Sequence, residues 1–403
     1  MDSVIVIDPG SHSFRAGYAY AVPSSEEPRL IAPSLLQVSP SNDPHQELSD
    51  ASRLLRPIQQ GQIVDFAGLE SLIHSSIYNQ LGWPIGDEGA IVFCEPLLTP
   101  RSDREQLTQL MFEVFNVNGL YVQDQATLTL YALGKLTGCV VDIGYEKSDI
   151  ATVTDGQVNQ HSVRRLPYGS LHLSHLLAHL LQQRQGEAVS TQPSSHSSLG
   201  LGSTPAQWLM EQCCSVAESE EECEQQAGPP SVFCLPDGQQ ISVGSEGRMA
   251  AEALLRPALL ATVLGDPALS APLSLSSSGQ QEPGEAASCP GLPEVVVECV
   301  GSVYDVLNKR AGHIKDVCVC GGGSLLPGLA PRLLREVRGL APPEPLPLVC
   351  SWPEYLQVPQ VSRHAAWVGG AVLGKVLGQQ NQCFVSRQEY DEIGPTAVNR
   401  KCS

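Results

Sequence analysis

The chain has 403 residues, 42% of them hydrophobic, and 24 Lys plus Arg against 43 Asp plus Glu give a formal net charge of −19. That length fills one large core or two medium ones, because a single core stops growing near ~250–300 residues, so two lobes are expected. The acidity argues against direct binding of a phosphate backbone, and no apolar run approaches the ~20 residues that a membrane span needs.

The sequence opens on the β-branched run Ser3-Val-Ile-Val-Ile7, without a basic leader or a small-residue cleavage site, as expected of a soluble cytoplasmic or nuclear protein. Val4 to Ile7 predicts a strand ending in Asp8-Pro-Gly-Ser11, and Phe14-Arg-Ala-Gly-Tyr18 predicts a returning strand. Asp65 precedes a helical stripe of Leu69, Leu72, Ile73 and Ile77, and Ala90 to Cys94 reads as a buried strand closed by Pro96. Ser102-x-x-Glu105 predicts a capping box opening a helix with Leu107, Leu110, Met111 and Val114 on one face.

Val140-Val-Asp-Ile-Gly144 repeats the strand-Asp-x-Gly pattern of Ile5 to Gly10, which suggests two related lobes. Asp155-Gly156 and Asp237-Gly238 predict hairpin turns. A long helix is expected through Val296, Cys299, Val300, Val303 and Leu307. The strand Val317 to Val319, the run Gly321-Gly-Gly-Ser324 and a helix carrying Leu329, Leu333, Leu334 and Val337 follow. Gln37 to Ala51, Gln185 to Thr204 and Asp266 to Pro293 are rich in Ser, Pro, Gly and Gln and are expected to be mobile loops. Glu218 to Gln226 is an acidic run, read as a solvated face or a docking surface. The 13 cysteines form no C-x-x-C pair and read as reduced, buried thiols, while Cys213-Cys214 are adjacent on a helix and cannot form an ordinary bridge.

A phosphate chain needs backbone N–H groups that can approach it closely, and Gly10-Ser11 and Gly144 stand where a strand turns back. Each turn also carries an acid, Asp8 and Asp142, and two carboxylates facing each other suit Mg²⁺ held through its waters. The same residues also suit ordinary strand-end turns. Two such turns plus Gly321-Gly-Gly-Ser after a third strand favour the phosphate reading. His12 reads as a turn residue, and the ten histidines show no spacing typical of a metal site.

Val4-Ile-Val-Ile-Asp-Pro-Gly-Ser11, Leu235-Pro-Asp-Gly-Gln239, Cys320-Gly-Gly-Gly-Ser-Leu-Leu-Pro-Gly328 and Trp367-Val-Gly-Gly370 resemble the signatures of actin in the same order. Gln388-Glu-Tyr-Asp-Glu-Ile-Gly-Pro395 and Arg400-Lys-Cys402 are similar to its C-terminus. Within the actin-related proteins the likeness is to the plant type numbered seven. It rests on Gln80-Leu-Gly-Trp83, Arg104-Glu-Gln-Leu107, Met111-Phe-Glu-Val-Phe-Asn-Val117, Gly138-Cys-Val-Val-Asp-Ile-Gly144 and Gln380-Asn-Gln382.

The resemblance implies an α/β, actin-like two-lobed fold of duplicated ribonuclease-H-like domains around a nucleotide cleft. The outer lobe is expected over 1–133 plus 365–403 and the inner lobe over 134–364. It implies ATP or ADP with Mg²⁺, a first phosphate loop at Gly10, Ser11 and Arg15, and a second at Asp142, Ile143 and Gly144. An adenosine contact is implied at Glu211, Gly321, Gly322 and Gly323. Asp8, Gln125 and Asp142 would order the metal's waters and the attacking water. Arg15 stands where the family usually has Lys, which keeps charge but alters geometry; by itself it also reads as a surface cation on a hairpin.

Several departures bear on chemistry. Tyr145 and Glu146 replace a small acidic residue and a glycine, Asp149 replaces a histidine that helps to position the hydrolytic water, and Met210 replaces a lysine beside the adenosine. Tyr145 and Glu146 either crowd and repel a triphosphate or, with the ring rotated over the base or sugar, leave binding intact and turnover slow. Weak ATPase activity at most is expected, with no catalytic residues assigned. The segment Gln37 to Ala51 is too short and polar to match actin's neighbour-gripping loop, and an insertion from Asp266 replaces its plug loop, so no homopolymer is expected.

A groove lined by Tyr131, Val372, Leu373 and Val376 suits an amphipathic helix, although the same residues also read as core around the Trp367 helix. By resemblance the partners are a helix of a remodeller motor subunit and other actin-family subunits, without direct nucleic acid or membrane contact. The implied role is a structural subunit of a SWI/SNF-type chromatin remodelling complex in the nucleus, and also in the cytoplasm. The rival readings are a cytoplasmic protein that caps or regulates filaments, and an active ATPase or small-molecule kinase of the same superfamily.

Overall fold

The computed structural model describes residues 3–19, 27–38, 53–86, 89–186, 189–191, 204–224, 229–264, 289–306, 315–341, 347–353, 356, 360–378 and 383–402. They belong to two units, Met1–Lys135 with Pro353–Ser403, and Leu136–Trp352. Most of the three low-complexity stretches lies outside the described residues, as do Leu307 and Gln380 to Gln382.

The first unit begins with β1 (Val4–Pro9), β2 (Ser13–Tyr18) and β3 (Leu30–Pro33). Two small ribbons follow, β4 (Leu36–Val38) with β5 (Arg53–Leu55), and β6 (Ile58–Gln59) with β7 (Gln62–Ile63). Helix α1 (Phe66–His74) starts where Asp65 caps it, the carboxylate accepting from Gly68 N at 3.0 Å, and it presents Leu69, Leu72 and Ile73 to the core. Next come β8 (Ala90–Glu95), α2 (Arg101–Gln109), β9 (Gly119–Asp124) and α3 (Gln125–Ala132).

The capping box at Ser102 does not form. Pro100 takes the N-cap place with φ −60° and ψ 146°, and its carbonyl accepts from Asp103 N and Arg104 N, each at 3.1 Å. Ser102 is already inside the first turn and its hydroxyl donates to Asp103 Oδ1.

In the second unit β10 (Gly138–Ile143), β11 (Ser148–Thr154) and β12 (Gln157–Val158) run antiparallel in turn. The β11–β12 turn places Asp155 at φ 51° and Gly156 at φ 79°, the left-handed pair that the Asp-Gly dipeptide predicts. β13 (Arg164–Leu166) pairs with β11 and leads into α4 (Ser170–Gln185), α5 (Pro205–Cys213) and α6 (Glu220–Glu224). The second hairpin, β14 (Ser231–Cys234) and β15 (Gln240–Val243), turns at Asp237-Gly238, where Asp237 Oδ1 accepts from Gln239 N. Then follow α7 (Glu246–Glu252), α8 (Ala258–Leu264), α9 (Leu292–Val306), β16 (Asp316–Cys320), α10 (Leu329–Leu340) and β17 (Leu348–Val349). The chain returns to the first unit with α11 (Ala365–Leu377), β18 (Val385–Ser386), α12 (Arg387–Ile393) and α13 (Val398–Lys401).

Both main sheets repeat one local plan. The first runs β18-β9-β8-β1-β2-β3, so β1 has an antiparallel partner, β2, on one side and a parallel one, β8, on the other. The second runs β12-β11-β10-β16-β17, and β10 likewise lies between antiparallel β11 and parallel β16. The strand-Asp-x-Gly repeat is the sequence trace of this shared plan.

Because β1 is buried on both faces, its run is continuously apolar up to Asp8. Ile5 and Ile7 join Leu69, Ile73, Phe93 and Met111 in one core. The other face takes α11: Trp367 Nε1 donates to Val6 O at 3.3 Å, and a Cβ on Gly370 would come 2.7 Å from Val6 Cγ1. A Cβ on Gly369 would strike Leu128 O at 1.7 Å, so only glycine lets α11 lie this close to α3.

The 13 cysteines are all free thiols; nine are buried and only Cys234 is exposed. The acidic run is partly neutralised, since Glu220 accepts from Arg256 and Glu222 from Arg248.

Candidate functional site

Asp8 ends the buried run of β1 and is itself only 2% exposed. Register sets Arg15 directly opposite, and antiparallel partners share a face, so the two side chains meet. Arg15 Nη1 donates to Asp8 Oδ2 at 2.8 Å, and Gln125 Nε2, from the first turn of α3, donates to Oδ1 at 2.7 Å. Arg15 is therefore no surface cation: its side chain is 13% exposed and committed to a carboxylate.

The turn between β1 and β2 is held by its neighbours. Gly10 N donates to Ser13 O at 3.1 Å, and a Cβ on Gly10 would come 2.9 Å from that oxygen. Arg56 Nη1 donates to Ser11 O at 3.0 Å, Gly61 N to Ser11 Oγ at 3.4 Å, and Ser34 N to His12 O at 2.9 Å. Burial, with Arg56, Arg363 and Arg15 nearby, lowers the His12 pKa to about 4, and burial with Arg15 and Arg363 lowers that of His364 to about 4. Three guanidinium groups thus lie near His12 and two of them near His364, and Arg15 alone of the three is bonded to Asp8.

In the second unit the ladder places Asp149 opposite Asp142. Like charges in that position repel, and here the second is neutralised locally. Arg165, opposite Asp149 on β13, donates through Nε and Nη2 at 2.7 and 2.9 Å, and Lys147 Nζ donates to the same carboxylate. Burial pushes the Asp149 carboxyl up, but Lys147 and Arg165 outweigh it and hold the group below its ordinary value.

The Gly144 to Lys147 turn is tied to α4: Gly144 O accepts from Ser170 N at 3.1 Å and Tyr145 O from Leu171 N at 2.8 Å. Gly169 must be glycine here, since a Cβ would stand 2.5 Å from Gly144 O. Tyr145 is largely buried. Gly321 has φ +83°, and a Cβ there would reach Asp142 Oδ1 at 2.3 Å; one on Gly323 would meet Ile143 Cγ2 at 2.3 Å. These two glycines are required by close packing on the end of β10, whatever else they touch. Gly322 is half-buried, Glu211 is exposed on α5, and Met210 beside it belongs to the core of the second unit.

The first unit thus brings together Asp8, Gly10, Ser11, Arg15 and Gln125, and the second brings together Asp142, Gly144, Gly321 and Gly323. Arg56, His364, Arg363, Lys147 and Arg165 were not legible as site residues. Arg56, Arg363, His364 and Arg165 lie outside the glycine-bearing turns, whereas Lys147 closes the turn that begins at Gly144; Lys147 and Arg165 could have been found from the need to neutralise a buried Asp149.

Of the expected groove residues, Val372 is 46% and Val376 54% exposed on α11, and Leu373 and Tyr131 are half-buried. The core reading therefore fails for the two valines. They stand one helical turn apart on the face that α11 turns away from β1.

The actin family model matches residues 1–403. The chain is 33% identical over 401 residues, 99% of each chain, to Actin-related protein 7 of Oryza sativa subsp. indica. It is 34% identical over 410 residues, again 99% of each, to Actin-related protein 7 of Arabidopsis thaliana. It is 29% identical to Actin-like protein 7B of Homo sapiens over 353 residues, 87% of this chain and 74% of that one.

Proposed function

This chain belongs to the actin family as an actin-related protein, and we propose that it serves as a non-filamentous nuclear scaffold. In this reading it is a structural subunit of a SWI/SNF-type remodelling complex, and its groove at Tyr131, Val372, Leu373 and Val376 takes an amphipathic helix of the motor subunit. The observation that carries the binding half is the exposure of Val372 and Val376 on a helix that otherwise exposes only Lys375. Two exposed valines one turn apart fit the i, i+4 anchors of a partner helix. The acidity of the whole chain favours a basic partner.

The nucleotide half assigns Gly10, Ser11 and Arg15 in one unit, and Asp142, Gly144, Glu211 and Gly321 to Gly323 in the other, to ATP or ADP. Asp149 supports binding without turnover. A group placed to align water must keep an acceptor for it, and this carboxylate is buried and already bonded to Lys147 and Arg165.

Phosphate release by the purified protein tests this: turnover at or above that of filamentous actin would refute it. Filaments of the pure protein in negative-stain microscopy would remove the scaffold reading in favour of a polymer.

A further inference from the structure

The actin fold in general binds nucleotide with a divalent metal, and Asp8 is one of the acids that would hold the metal's waters. The donor set found here suits a metal poorly. Both Asp8 oxygens accept protein hydrogen bonds, from Gln125 at 2.7 Å and Arg15 at 2.8 Å, and Arg15 cancels the charge that would attract a dication. Arg56 and Arg363 add two more positive charges beside His12 of the β1–β2 turn, which is held neutral by burial first and by these charges second.

From that disagreement we infer that the Gly10–Ser11 turn accepts a nucleoside polyphosphate without a divalent cation, Arg15 and Arg56 supplying the counter-charge that the metal would otherwise give. This rests on the nucleotide reading above and deepens it. Two buried nitrogens point to an anion: Arg15 Nε has no acceptor, and His364 Nδ1 has no partner. A buried guanidinium donor left unmet costs free energy that a phosphate oxygen would recover. The turn leaves room for it, because Gly10 presents no side chain, and a Cβ there would stand 3.7 Å from Arg15 Nη1. Guanidinium suits the task better than the family's usual lysine, since its fork can serve Asp8 through one nitrogen and a phosphate oxygen through another.

The test is calorimetric titration of the full chain with ATP, once with saturating magnesium and once with excess EDTA. The dissociation constants should agree within about threefold, and Arg56→Ala should weaken binding about tenfold or more in EDTA. Arg15→Gln, which leaves Asp8 uncompensated, should make binding depend on magnesium by about tenfold. Tight binding in magnesium that is lost in EDTA by the unaltered protein would overturn the inference while leaving the nucleotide reading intact. Absence of binding in both would overturn the two together.

Discussion

Arg15 stands opposite Asp8 in the β1–β2 ladder and forms with it an ion pair of 2.8 Å in which the carboxylate is almost wholly buried. At the equivalent place in the second unit Asp149 stands opposite Asp142, and the cations come instead from Lys147 and Arg165. The same strand-turn-strand plan therefore carries two different charge arrangements, the protein neutralising the strand-end acid Asp8 in one and Asp149, opposite the strand-end acid, in the other.

Removing one partner of a buried pair strands the other. Arg15→Ala should lower stability by about 2–4 kcal/mol, somewhat under the figure for a fully enclosed pair because the arginine is partly exposed. Urea unfolding checks this, and Arg15→Lys should recover much of the loss.

Asp149→His introduces the histidine that the resemblance to actin implies at that position and deprives Lys147 and Arg165 of their shared carboxylate. We expect no rise in phosphate release and a loss of about 3 kcal/mol or more, because two buried cations lose their partner. A clear gain in turnover would mean that the remaining site is sound and that Asp149 alone disables it.

Much of this was legible in the sequence because it depends on local chemistry. The Asp155-Gly156 turn follows from which residues tolerate positive φ, and the buried β1 from an unbroken β-branched run. The turn acids and glycines stand out for the same reason. Arg56 and Arg165 could not be read that way, since each reaches its partner through tertiary pairing: Arg56 across 45 residues to Ser11, and Arg165 across 16 to Asp149. The capping box at Ser102 failed because Pro100 fixes the helix start before the serine can act.

His12 and His364 are held neutral with pKa values of about 4, against 6.5 for an ordinary histidine. The unfolded chain therefore binds more protons between those limits, so stability is full above about pH 6.5 and falls as pH drops toward 4. By pH 5 the loss should be up to about 2 kcal/mol for each histidine. Melting temperature measured from pH 7 to 5 should fall, and His364→Gln should flatten the slope.

Gly321→Ala forces a side chain into φ +83° and within 2.3 Å of Asp142. Destabilisation of about 2–4 kcal/mol is expected, together with loss of any ATP binding, because the end of β10 must shift. Thermal melting and titration with ATP separate the two effects.

The most direct test of the scaffold reading is affinity purification of tagged full-length protein from nuclear extract, beside a Val372→Asp/Val376→Asp double variant. Both valines are about half exposed, so the variant should fold with stability changed by less than about 0.5 kcal/mol per site. The account predicts that the unaltered protein recovers a remodeller motor with other actin-family subunits in fixed ratio and that the variant loses the motor. Equal recovery by both, or recovery of filament components in its place, would contradict it.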